Sequence, residues 1–447
     1  MMIGFASCGG CGGSGAGGTM CAQLATRKAR TATTARLIVE KCMYAATCDQ
    51  SHTVMLSIAF RLMKRWATLA AAVLCFSASA VAPAPANYDA FGTTLLQRLA
   101  SQDNGNVFIS PLSIGIALSM AADGARGATR DGILQTLQQR RQLNLADSNA
   151  ALIHETRSNS DAKLGLADAI WLRSPDPPLA SYTSLLRNRY SAEARTVNFG
   201  KPSAAIQINR WVNARTLGLI PHLIDRTDPL DFIYLTNALA FQAHWTHPFE
   251  KAATEPHRFT NADGTESKVQ MMSQVGTFST SRDAAYRVLR MTYGRGGFAA
   301  YIILPNGKNA MVVLRTLTAT NFAHDMHVMH PQYLRVLVPR FTARFQQNLN
   351  GPLIALGMGN AFSWKADFRN MRAARGIRIS NVEHASYVRV DEAGTTAAAA
   401  TSVEIAKLAI SLSPPHPPVF IVDHAFIFAI RDERIGALLF IGVVNRL

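Results

Sequence analysis

The chain has 447 residues, 45 Lys/Arg against 29 Asp/Glu, a formal charge of +16 and a hydrophobic fraction of 48%. This is length and apolar content for a sizeable core, and the 17% of charged residues is too little for a disordered polyelectrolyte. All six cysteines precede residue 83, so the body of the chain has neither disulfides nor thiol chemistry.

Residues 1–62 are rich in Gly, Cys and Ala and show no apolar period. Cys8-Gly9-Gly10-Cys11 has redox-motif spacing without a strand–helix context, and is discounted. Met63-Lys64-Arg65, the apolar run from Trp66 to Phe76 and the exits Ala78-Ser79-Ala80 and Ala80-Val81-Ala82 have the layout of a secretory signal peptide. The expectation is that residues 1–62 are a non-native extension or a disordered leader and that 63–82 are the signal. The mature chain, 83–447, is then secreted or periplasmic, with no membrane span. The leader holds eight Lys/Arg and two acids, leaving the body near +10. Such a field favours a polyanion as partner, but the basic residues are scattered, which also suits a solvated surface.

In chain order, Tyr88 to Leu99 predicts an amphipathic helix, Asn106 to Ile109 a buried strand and Ser113 to Ala122 an apolar helix. Arg130 to Leu137 and Ser148 to Glu155 predict short helices, Leu164 to Leu172 a strand and Tyr182 to Tyr190 a helix. Ala205 to Thr216 sets Ile208, Trp211 and Val212 on one helical face. Phe232 to Trp245 predicts a long strand, and Val288 to Pro305 a hairpin about Gly294, Gly296 and Gly297. Met311 to His327 predicts a helix, Leu334 to Phe345 a strand pair bent near Pro339, and Val419 to Leu447 two final strands. Helices lead and strands follow, the order of an α+β domain with large, mostly antiparallel sheets.

No nucleophile elbow, phosphate loop or metal-ligand spacing is present, and His154-Glu155 lacks a second histidine one turn on. The residues predict no enzyme, no metal and no cofactor. The distinctive stretch is Val390 to Leu408, VDEAGTTAAAATSVEIAKL. At period two, Thr395, Ala397, Ala399, Thr401, Val403 and Ile405 share one small or apolar face. Gly394 supplies a pivot.

Glu392 to Thr401 (EAGTTAAAAT) resembles the hinge of the serpin reactive-centre loop. Asn106 to Thr129 (NVFISPLSIGIALSMAADGARGAT), Leu235 to Trp245 (LTNALAFQAHW), Val338-Pro339-Arg340-Phe341 and Asp423-His424-Ala425-Phe426 resemble further serpin segments in family order. The resemblance covers roughly residues 87–447. It implies a single serpin-like domain with helices around the sheets and an exposed reactive-centre loop at about 392–418. It implies a monomeric suicide inhibitor of serine proteases, whose cleaved loop inserts into the central sheet. The hinge would be Glu392, Gly394, Thr395, Thr396, Ala397, Ala398, Ala399, Ala400 and Thr401. Arg340 and Trp245 match the insertion point, and Ser110, Ser113, Asn237 and His384 the polar cluster beneath the opening strands, the shutter.

Family spacing from Glu392 puts the reactive bond at Leu408-Ala409, implying a chymotrypsin-like target. A one-residue slip to Lys407 implies a trypsin-like one. Two departures stand out. Thr396 replaces a glutamate on the outward face, and Ala425 replaces a proline, which should loosen the start of its strand. Intact Ala397 to Ala400 favours inhibition over the alternative, a non-inhibitory binding protein (carrier, chaperone or polyanion binder) on the same fold. The use of 35 Arg against 10 Lys, with a simple export signal, points to a bacterial source.

Overall fold

The computed structural model describes residues 86–447 apart from 103, 141–143, 176, 308, 374 and 396–416. The leader and signal, the hinge from Thr396 to Thr401, and the bond residues Lys407, Leu408 and Ala409 lie outside the described residues. What is described belongs to one unit, Pro83–Leu447.

Helices come first: α1 (Asp89–Ala100), α2 (Pro111–Gly124), α3 (Gly127–Thr136), α4 (Leu145–Ser158), α5 (Ala180–Leu185) and α6 (Ser203–Arg215). Helix α2 shows why. Ser110 caps it by accepting from the Ser113 N–H, and Pro111 fits the first turn, where its missing N–H costs nothing. Every residue of α2 except Asp123 is buried, so a helix apolar all round becomes the central pillar. The stretch expected as one helix from Met311 is two, α7 (Ala310–Thr316) and α8 (Ala319–His327). Thr318 extends the chain between them and caps the second. A last short helix, α9 (Asn350–Ala355), follows two strands further on.

The strands form two sheets. The larger runs β1 (Val107–Ile109), β15 (Ala437–Val444), β14 (Phe426–Asp432), β8 (Phe298–Pro305), β7 (Tyr286–Tyr293), β6 (Glu266–Arg282), β9 (His330–Pro339), β13 (Val419–Ile421), with β5 (Glu255–Thr260) beside β6. The smaller runs β10 (Phe341–Asn348), β11 (Ile379–Asp391), β12 (Gly394–Thr395), β4 (Ile233–His244), β2 (Ala162–Arg173), β3 (Glu193–Val197). Phe241 on β4 ties the two sheets together, meeting Tyr293, Phe298 and Phe440 edge-on. The β7–β8 hairpin turns where expected, with Gly294 and Gly296 both at positive φ.

Two points of the sequence reading need correction. The final segment holds three strands, β13, β14 and β15, since Val422 to Ala425 breaks the first run. The 17-residue β6 and its partner β5 were not foreseen, because ESKVQMMSQVGTFSTSR is largely polar and only partly buried. Ala425, where the resemblance expects proline, donates its N–H to Thr260 O at 3.2 Å, a bond that proline could not make.

Candidate functional site

The seam between β4 and β11 is where the sequence-singled residues gather. From Ile233 to Ala240, β4 pairs directly with Ile379 to Tyr387 of β11, and this pairing is parallel. Near the upper end the two strands part and β12 sits between them. Thr395 pairs with Ala243 on one side and Val390 on the other; Gly394 pairs with His244 and Asp391. Both pairings are antiparallel. Two hinge residues, Gly394 and Thr395, are thus already a strand of this sheet.

Local chemistry explains the turn that brings them there. Gly394 has φ +151°, and a Cβ on it would stand 2.1 Å from Ala243 O, so only glycine passes. Thr395 is fully buried and its hydroxyl meets Tyr293 OH at 2.7 Å. Tyr293 stacks on Trp245 at 4.2 Å, and Trp245 Nε1 donates to Asp391 O at 2.9 Å. The Trp245 N–H also donates to Ala393 O at 3.0 Å. Arg340 Nε donates to Glu392 Oε1 at 2.6 Å and Thr254 Oγ1 to the same oxygen at 2.5 Å. Burial alone would raise the Glu392 pKa; the bonds from Arg340 and Thr254 outweigh it and hold the carboxylate below its usual range. Glu392, Gly394 and Thr395, which the resemblance placed in the reactive-centre loop, are buried.

Lower down the seam lies a polar row. Asp168 on β2 is directly opposite Asn237 on β4, which is directly opposite His384 on β11. His384 Nδ1 lies 2.6 Å from Asn237 Oδ1, and Nε2 accepts from the Ser110 N–H at 3.3 Å. Nδ1 then carries the proton and the ring is neutral, as expected of a histidine that burial pushes down to about 3. Asn237 Nδ2 donates to both Ser113 Oγ and Asp168 Oδ1, and Ser113 Oγ donates to Asp168 Oδ1 at 3.2 Å. Ser110, Ser113, Asn237 and His384 are thus brought together as one hydrogen-bonded cluster.

Asp168 is the member the sequence reading passed over. Its signal was there, a single charge inside the apolar strand LGLADAIWL. Burial pushes its pKa up to about 7, against the pull of Asn237 and Ser113, and its Oδ2 has no hydrogen-bond partner. Thr254, Tyr293 and Ser386, whose hydroxyl donates to Phe108 O at 2.5 Å, left no readable signal. Among the described residues no group of three or more His, Cys, Asp or Glu could hold a metal.

A partly filled sheet gap beside a polar cluster narrows the comparison, and residues 86–447 match the family model "Serpin (serine protease inhibitor)". The chain belongs to the serpin family. This serpin is 32% identical to Iripin-2 of Ixodes ricinus over 400 residues, 87% of this chain and 99% of that one. Among solved structures it is similar to native tengpin, a thermophilic serpin, at 29% identity, covering 81% and 94% of the two chains with TM-score 0.73. Human thyroxine-binding globulin is similar at 26% identity, 80% and 97% coverage and TM-score 0.75. Relatives also come from cereals and archaea, so they lend no support to a bacterial source.

Proposed function

We propose that this serpin is an exported suicide inhibitor of serine proteases. The observation that carries the reading is β12: Gly394 and Thr395 already occupy the gap that the rest of the loop would fill. A protease serine attacks the carbonyl carbon of Leu408, the Ala409 amine leaves, and an acyl-enzyme remains. The freed hinge then zips downward between β4 and β11, with Ala397, Ala399 and Thr401 on the buried face. Arg340, Trp245 and Glu392 frame the start of insertion, and Ser110, Ser113, Asn237 and His384 rearrange as the strands part. Export rests on the signal-like run at Met63 to Ala82. A polyanion is a second partner that the +10 body would favour.

The competing reading is a binding protein on the same fold, and the likeness to thyroxine-binding globulin supports it. Incubation with chymotrypsin and with trypsin separates the two. An inhibitor gives a covalent band that survives SDS, with cleavage mapped after Leu408, or after Lys407 with trypsin. A binding protein gives cleaved chain alone.

A further inference from the structure

A cleft of about 400 Å³ opens where the chain returns from the loop, lined in part by Pro418, Val419 and Phe420. Strand register assembles its charged side. Arg282 on β6 is directly opposite Arg287 on β7, and two residues back Thr280 is directly opposite His330 on β9. Residues two apart on a strand share a face, so these four stand together. Two like charges directly opposite each other destabilise a strand pair. No ion pair to an acid joins either arginine among the described residues. The nearby acids are otherwise engaged. Asp283 accepts from the Ala285 N–H at 2.9 Å, and Asp423 is 2.7 Å from His424 Nδ1. Burial and the neighbouring Arg282 together lower the Arg287 pKa, against an opposing pull from Asp423. The Arg287 guanidinium lies 4.9 Å from the centre of the Phe420 ring, which with buried Leu334 gives the cleft an apolar side.

We propose that this cleft binds a phosphate or sulfate monoester, with the oxyanion held by Arg282 and Arg287 and the organic part against Phe420 and Leu334. Guanidinium pairs suit a tetrahedral oxyanion, because each offers two parallel N–H donors. Thr280, whose hydroxyl donates to Gln332 Oε1 at 3.2 Å, and His330 complete the polar side. The volume exceeds the needs of a bare anion and matches a small organic ligand. The site does not depend on protease inhibition.

The test is calorimetric titration of the full chain at constant ionic strength with phenyl phosphate, phenyl sulfate, inorganic phosphate and phenol. Saturable binding of a phenyl ester is expected, tighter than inorganic phosphate, with no binding of phenol. Preference between the two esters assigns the head group. The double variant Arg282→Gln, Arg287→Gln should bind the ester about tenfold or more weakly. Its melting temperature should stay level or rise, since a like-charge pair is removed. Absence of saturation with both esters, or equal affinity in the double variant, overturns the site. Equal affinity for inorganic phosphate overturns the role of Phe420 and Leu334.

Discussion

Asp168 and His384 lie in one buried row and titrate in opposite senses. Burial raises Asp168 from 3.8 to about 7, so the folded protein keeps a proton that the unfolded chain loses in that interval. Its contribution to stability is full below pH 3.8 and is lost as pH rises through about 7. His384 is lowered from 6.5 to about 3, so its contribution is present above pH 6.5 and is lost as pH falls through about 3. The two largely offset each other in the wild type. Asp168→Asn removes only the first. It should match the wild type near pH 4 and exceed it by a few kcal/mol at pH 8, at about 1.4 kcal/mol per pKa unit. Urea midpoints from pH 4 to 8 check this, and a variant less stable than wild type at pH 8 would contradict it. Gly394→Ala is expected to act in another way. With no room beside Ala243 O for a Cβ, Gly394 and Thr395 should leave the gap. In a Thr395→Cys variant of residues 83–447, which hold no other cysteine, thiol labelling should be slow with Gly394 and fast with alanine.

At the scale of elements, the two ladders of β12 fix where each loop residue would land. Counting down from Thr395 opposite Ala243 and Val390, Thr401 arrives opposite both Asn237 and His384. Its hydroxyl would then stand between the two groups that now bond each other, and could partner both. Thr401→Val keeps the shape and loses the hydroxyl. It should leave the uncleaved form unchanged and lower the stability of the cleaved form by about 1–3 kcal/mol, the cost of buried polar groups left unpaired. Denaturant melts of both forms measure the difference. These ladders also mark the limit of what the sequence discloses. Period two in TTAAAATSVEI and the apolar strand at Leu235 identify both sides of the gap, and the family motifs supply their pairing. They do not say that Thr395 is already seated, because that depends on Tyr293, distant in sequence. Nor do they single out Asp168, which becomes part of the cluster only because β2 pairs with β4 in this register. The cleft at Arg282 and Arg287 was invisible for the same reason: these two arginines of one hairpin meet His330, Leu334 and Phe420, distant in sequence, only through strand pairing.

For the whole molecule, the pairing of β4 with β11 is the reserve. Parallel pairing is slightly less stable per residue than antiparallel, and full insertion would replace one parallel ladder by two antiparallel ones. It would also bury the small side chains of the alternating face. Cleavage within the loop should therefore raise the melting temperature, whereas an ordinary nicked loop leaves it level or lower. Each net hydrogen bond contributes about 0.5–1.5 kcal/mol, so the gain should be several kcal/mol. A melting curve before and after limited proteolysis, with the cut mapped by mass, decides; a level or lower melting temperature after cleavage at Leu408 would leave the binding-protein reading in front.

The bond from His384 Nδ1 to Asn237 Oδ1 crosses the line along which the sheet would part on insertion. A buried imidazole proton held by such a bond exchanges slowly with water and gives a resolved downfield proton resonance. The molecule thus carries a spectroscopic seal. It should be intact at one frequency in the uncleaved protein and shift once, without intermediates, when the strand passes between β4 and β11. A resonance unmoved after cleavage would mean that the lower seam never opens.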